Sequence, residues 1–422
     1  MATRKGSPRS HRGDGDDQQF DEMTANEARG FSAFGGHRLS SNGGAEAVAV
    51  GAGDTALLSL GIEDAEQLIA MAAIPEVQAE LSAALGIDDA ALSKLVEDML
   101  QMLPRDRALL VSSPSPAEFG TGVLPPTAEM RAELEMMIAE SAVTAPAVAL
   151  PSSVNLIPWM SPIRNQASRG TCVSFTLTAL NEYVLRRRGL VRDLSEQHLY
   201  YEIKLIDGSP AGCGTWQAKA VTALAARGQC REVVWPYNPA PPCNNHGARP
   251  AAARPDGLHY RLKTLAVAPR DVLAYKSHMA RQRPVTLSIP VYNSWYQSAE
   301  TRRSGRITMR VGNEPSVGGH AVCLVGYQDT PASPGGGFFI VRNSWSTTWA
   351  YASPYGAGYG AIPYAYIAND GWEAFTAAPA HLPFLGDEAT DDEERDGDEG
   401  GAQGKGRIVI QVGSNIKVTI ES

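Results

Sequence analysis

The chain has 422 residues, 37 basic against 46 acidic side chains, a formal net charge of −9 and a mean hydropathy of −0.20. That length admits two or three domains with a sizeable core, and no apolar run approaches the ~20 residues of a membrane-spanning helix. The start, MATRKGSPRSHRGDGDDQQF, is charged and has no apolar h-region, so no signal peptide and a cytoplasmic location are the expectation.

In chain order, residues 1–50 are rich in Gly, Ser, Arg, Asp and Ala and are expected to be disordered, because they cannot bury enough apolar surface to offset ordering entropy. Residues 51–104 form an acidic helical repeat module. LGIEDAEQLIAMAA and LGIDDAALSKLVEDM repeat with Gly61 and Gly86 as equivalent points. Apolar residues follow at helical spacing, and Pro75 suits the first turn of an intervening helix. The module weakly resembles helix-hairpin-helix repeats, but its ten acids against one base would repel phosphates. A protein contact or a pro-segment role is expected, with solvated acids rather than intramolecular masking. Residues 105–150 read as a connector with one amphipathic helix near Thr127–Ser141. Residues 151–376 carry most aromatics and the candidate chemistry. An acidic linker spans 377–404, and KGRIVIQVGSNIKVTIES at 405–422 alternates as a β-hairpin around Gly413-Ser414-Asn415. A lone hairpin is marginal, so it requires a surface or a protein partner. Basic residues form no stripe interleaved with aromatics, so neither nucleic acid nor membrane is an expected partner.

The five cysteines (172, 213, 230, 243 and 323) are odd in number and include no CxxC pair, which argues against zinc and thioredoxin-like sites. Cys213, Cys230 and Cys243 are close enough in sequence to bridge in an oxidising compartment. In a reducing cytosol three separate thiols are expected.

A free cysteine is ordinarily a packing residue. In NQASRGTCVSFTLTALNEYVLRRRG, however, Phe175, Leu177, Leu180 and Val184 keep helical spacing up to Gly189 and put Cys172 in the first turn. Partial positive charge and free N–H groups there stabilise a thiolate. Gln166 precedes it on a loop, with an amide able to donate to an oxyanion. His320, in SVGGHAVCLVGY, opens an apolar strand and is a candidate base. FFIVRNSWSTTWA then supplies Asn343 as an acceptor for the imidazole N–H, shielded by Trp345.

These motifs in this order resemble the papain-like (C1) cysteine peptidases, more closely the bacterial members with shortened motifs. The family places His and Asn ~130–150 residues after the Cys; here the intervals are 148 and 171, the second stretched by an insertion. The resemblance implies an oxyanion role for Gln166, a nucleophile at Cys172, a base at His320 and an orienting Asn343. Leu194-Ser195-Glu196-Gln197, Trp235-Pro236-Tyr237 and Gly358-Tyr359-Gly360 add support. By the same resemblance, Thr215 and Trp216 lie at the substrate-pairing edge and Gly318, Gly319 and Ala321 near the main specificity pocket. Trp345, the shielding tryptophan, and Trp349, on the leaving-group side, would complete the substrate-binding set.

The implied architecture is α+β and two-lobed, a helical lobe facing a β-barrel-like lobe across a cleft. The implied activity is a cysteine endopeptidase acting on protein or peptide substrates, with no metal or cofactor. Departures are Arg169 in place of a frequent cysteine, Val173 in place of a tryptophan, Trp216 in the GCxGG-like stretch and AYASPYGAG after Trp349. Residues 51–150 stand where the family keeps an inhibitory pro-segment but lack its usual helical pattern. They are expected either to gate the cleft or to recruit the enzyme to a partner. The alternatives to a peptidase are an acyltransferase on the same fold and a catalytically silent binding scaffold.

Overall fold

The computed structural model describes residues 51–112, 119–141, 150–379, 407–411 and 417–421. The expected disordered N-terminus, the acidic run at 387–399 and the Gly413-Ser414-Asn415 turn lie outside them.

The LGI repeat has a local cause: Gly61 and Gly86 both adopt left-handed backbone (φ 73° and 68°), where a Cβ would be strained. Around them run α1 (Gly51–Ser59), α2 (Ala65–Ala72), α3 (Pro75–Leu85), α4 (Asp89–Met102) and α5 (Arg105–Val111). Asp64 and Asp88 cap α2 and α4 by accepting from Gln67 N and Ala91 N, and Pro75 opens α3. Leu57, Ile62, Leu68, Ile69, Leu81 and Leu92 fill the module core together with Val311 from the body.

The acids expected to be solvated are partly consumed in this docking. Arg306, buried, pairs with Asp64 and approaches Glu300, while Arg107 bridges Glu66 at 3.3 Å. Met309 N donates to Leu60 O and Asn313 N to the Glu80 carboxylate. The acidic module thus sits on a basic segment of its own chain, against the expectation of a freely solvated face. Helix α6 (Ala128–Ser141) places Met130 and Leu134 in the core of the body.

The body is organised by β4 (Ser316–Asp329), whose two-residue alternation serves two cores. Ala321, Cys323 and Val325 face the core containing α7 (Cys172–Arg187); Val322 and Leu324 face the other, with Trp295, Trp345 and Trp349. Every residue of α7 from Cys172 to Leu185 is buried, as befits a helix central to its lobe. The chain leaves it through Gly189 at φ 78°, where the spacing predicts the stop.

Helices α8 (Glu196–Lys204) and α9 (Gln217–Arg227) complete the helical side. β1 (Ser153–Asn155), β2 (Thr264–Val267), β3 (Val285–Tyr292), β5 (Gly337–Arg342), β6 (Tyr359–Pro363) and β7 (Glu373–Ala377) join β4 in one antiparallel sheet. Its order is β2-β7-β3-β4-β5-β6, with β1 against β4, so the described strands form an open sheet rather than the expected barrel-like closure. Glu373 of β7 accepts from Gln217 N and Ala218 N at 2.9 and 3.0 Å, capping α9 across the lobe boundary.

Residues 384–422 are a separate unit. Within it β8 (Arg407–Gln411) and β9 (Lys417–Glu421) pair antiparallel, with Ile408 opposite Ile420 and Ile410 opposite Val418.

Candidate active site

Three elements converge. The N-terminus of α7 holds Cys172, the start of β4 holds His320, and the chain leaving β5 holds Asn343. His320 Nε2 and Asn343 Oδ1 are 2.8 Å apart, and Asn343 Oδ1 also accepts from Ser344 N at 2.7 Å. That arrangement fixes the imidazole with Nε2–H donating, which leaves Nδ1 as the basic nitrogen. Nδ1 is buried and without a hydrogen-bond partner. The Trp345 ring stacks on His320 at 4.4 Å and Trp295 meets it edge-on at 6.2 Å, sealing the His320–Asn343 bond from water. Burial holds His320 down at about 4, against the raising effect of Asn343.

The Cys172 thiol is fully buried, and burial pushes it up to about 12. Opposing that, the backbone N–H groups of Ala321, Val173, Cys172 and Gly122 approach the sulfur. With the thiol raised and the imidazole depressed, both groups are neutral at pH 7 in this arrangement.

Gln166 is anchored through its side chain. Its Oε1 accepts from Ser344 Oγ at 2.7 Å, and its Nε2 donates at 2.9 Å to both Gly120 O and Arg169 O. The donor expected to face an oxyanion is therefore held by a carbonyl of the chain's own segment 119–126, FGTGVLPP. This strap runs along the cleft. Gly122 N and Val123 N donate to Gly319 O at 2.9 Å. Leu124 N donates to Thr215 O at 3.1 Å and Thr215 N to Gly122 O at 2.9 Å, a parallel pairing. Phe119 stacks on Trp345 at 5.1 Å, and Trp345 Nε1 donates to Gly120 O at 3.1 Å.

Glycine is required here for space. A Cβ on Gly122 would lie 2.4 Å from the carbonyl carbon of Gly170, and one on Gly120 2.6 Å from Arg169 O. By sequence this segment belongs to the expected connector at 105–150. The signal available in it was the Gly-x-Gly spacing before two prolines.

Thr215, Gly318 and Gly319 border the strap, and Trp216 donates from Nε1 to Pro125 O at 3.2 Å. A cavity of about 700 Å³ opens beside it, lined by Gly318, Gly319, Pro290, Tyr292 and Trp372 among others. Ala321 packs in the core under α7, and Trp349 is buried edge-on to Trp345 and against Gly360. Trp345 lies under the strap as a cover for His320.

Cys213 and Cys243 form a disulfide, so the expectation of three separate thiols is corrected; Cys230 and Cys323 remain free and buried. Among the described residues, no group of His, Cys, Asp and Glu is arranged to hold a metal ion, and no helix is long and apolar enough to cross a membrane.

Comparison with known proteins adds independent likeness. Residues 151–359 match the papain family cysteine protease description. The chain is 28% identical over 227 residues to Peptidase 1 of Euroglyphus maynei, covering 52% of this chain and 65% of that protein. It is 28% identical over 193 residues to papain of Carica papaya, covering 45% and 49% respectively. The chain thus spans less than two thirds of the length of these relatives. Among solved structures it is similar to xylellain, a cysteine protease from Xylella fastidiosa, at 24% identity and a TM-score of 0.49 over 61% of this chain and 96% of that one.

Proposed function

We propose that the chain carries a papain-family (C1) cysteine peptidase domain and is a latent endopeptidase, closed by its own residues 119–126. In the open form, Cys172 gives its proton to His320 Nδ1 and the thiolate attacks a peptide carbonyl carbon. The oxyanion takes the place now held by Gly120 O, accepting from Gln166 Nε2 and the Cys172 N–H. His320 then protonates the leaving amine, and water, deprotonated by the same ring, releases the acyl group. Asn343 keeps the imidazole in one tautomer throughout.

The observation that carries the latent reading is the strap's pairing. Gly120 O occupies the Gln166 donor, and Gly122, Val123 and Leu124 pair with Gly319 and Thr215 where a substrate backbone would lie. The helical module that precedes the strap in the chain is docked on the body, which favours gating over recruitment for residues 51–150. The bacterial assignment rests on the shortened motifs alone. None of Cys172, His320 and Asn343 is substituted, which speaks against a silent scaffold.

The test is prolonged labelling of the full chain with a peptidyl epoxide, comparing wild type, Cys172→Ala and Cys323→Ala. Labelling should vanish only in Cys172→Ala. Equal labelling of Cys172→Ala and wild type would remove the catalytic assignment.

A further inference from the structure

We propose that Arg169 is a positioning residue for the catalytic loop, a non-covalent clamp that sets the Gln166 amide and the approach to Cys172; this rests on the peptidase reading above. Arg169 is fully buried three residues before the nucleophile. A buried guanidinium is costly unless its fork is used. Here Nη1 donates to Gln197 Oε1 at 2.8 Å and to Asn238 O, and Nη2 donates to Cys243 O at 2.7 Å. All three acceptors belong to the helical lobe, and two lie in the loop that the Cys213–Cys243 disulfide ties to the substrate-pairing edge. Only Nε is left without a partner.

The clamp acts on both ends of the catalytic loop. The guanidinium lies 5.1 Å from the Tyr237 ring centre. The Tyr237 hydroxyl donates to Gln166 O at 2.9 Å and sits 2.8 Å from Thr171 Oγ1. At the centre of the loop, Arg169 O accepts from Gln166 Nε2 at 2.9 Å and from Thr171 N at 2.9 Å. Gly170 N approaches Cys243 Sγ at 3.5 Å. One side chain therefore fixes the carbonyl that aims the oxyanion donor, and it stacks on the tyrosine that holds the loop's two ends. In the closed form Gly120 O shares that donor; once the strap leaves, Arg169 O is the aiming contact that remains. Lysine keeps the charge but has a single point of attachment, so it cannot hold three acceptors in a plane.

Three measurements on the full chain test this. In the strap-released Gly122→Val background, Arg169→Lys should lower kcat on a peptide amide at least tenfold and leave KM within threefold. Inhibition by a peptide aldehyde, whose hemithioacetal oxygen uses the oxyanion donor, should weaken in step with kcat/KM. In the otherwise wild-type chain, hydrogen exchange at Gly170 and Thr171 should quicken at least tenfold in Arg169→Lys, with β4 amides unchanged. Unchanged exchange would overturn the clamp. Faster exchange with unaltered aldehyde inhibition would overturn its link to the oxyanion donor. If the Gly122→Val parent neither turns over peptide nor labels at Cys172, the peptidase reading fails, and the exchange result still decides the clamp.

Discussion

Replacing Gly122 by valine puts a Cβ 2.4 Å from the carbonyl carbon and oxygen of Gly170, and backbone cannot yield as a flexible side chain can. The strap must therefore lift at its centre, where four backbone bonds join it to Gly319 and Thr215. At a net ~0.5–1.5 kcal/mol each, their loss is worth about 2–6 kcal/mol. At ~1.4 kcal/mol per tenfold, the open population rises roughly 30-fold to more than 10,000-fold. Opening also readmits water to Cys172 and His320, removing the burial that holds one at about 12 and the other at about 4. Thiolate–imidazolium formation then becomes favourable. The assay is the second-order rate of Cys172 alkylation by a peptidyl epoxide at pH 7, read by mass on the tryptic peptide. A rise of at least ~30-fold is expected. A folded variant that alkylates at the wild-type rate would refute the strap as the closing element.

Arg306→Ala strips the buried partner from Asp64, a loss of about 3–5 kcal/mol for a broken buried pair. Limited proteolysis should then release the helical module, and Cys172 labelling should quicken in parallel. His278 and His320 are held by burial at about 4, below an ordinary 6.5, so between those values the unfolded chain binds protons that the folded chain does not. Stability should fall as pH drops through that window, by about 1.4 kcal/mol per unit per group. His278→Asn should flatten the decline in Tm. Glu196, fully buried beside Glu182 and Glu232, is raised well above 4.5 by burial and by those neighbours. Its contribution is present below 4.5 and is lost as pH climbs toward its raised value, so Glu196→Gln should gain Tm relative to wild type at alkaline pH.

The catalytic elements were legible because their signals are local and periodic. The spacing after Cys172 defines α7, the alternation around His320 defines β4, and both side chains sit at element starts, where the chain direction aims them. The closing strap was not legible, because FGTGVLPP has the composition of a linker and its structure comes from residues distant in sequence, among them Gln166, Gly170, Thr215, Gly319 and Trp345. The disulfide partner stayed open among three nearby cysteines for the same reason. Arg169 registered only as a missing cysteine, since its partners at Gln197, Asn238 and Cys243 are brought together by the fold. Charge segregation was visible, but its consequence was not: Glu63 and Asp64 of the acidic module meet Arg306 only once the body is folded.

Peptide-amide turnover by the full chain carrying Gly122→Val, measured with and without Cys172→Ala, tests the central claim most directly. The account predicts turnover in the first and none in the second. Equal turnover in both, or none in either with both folded, would contradict it.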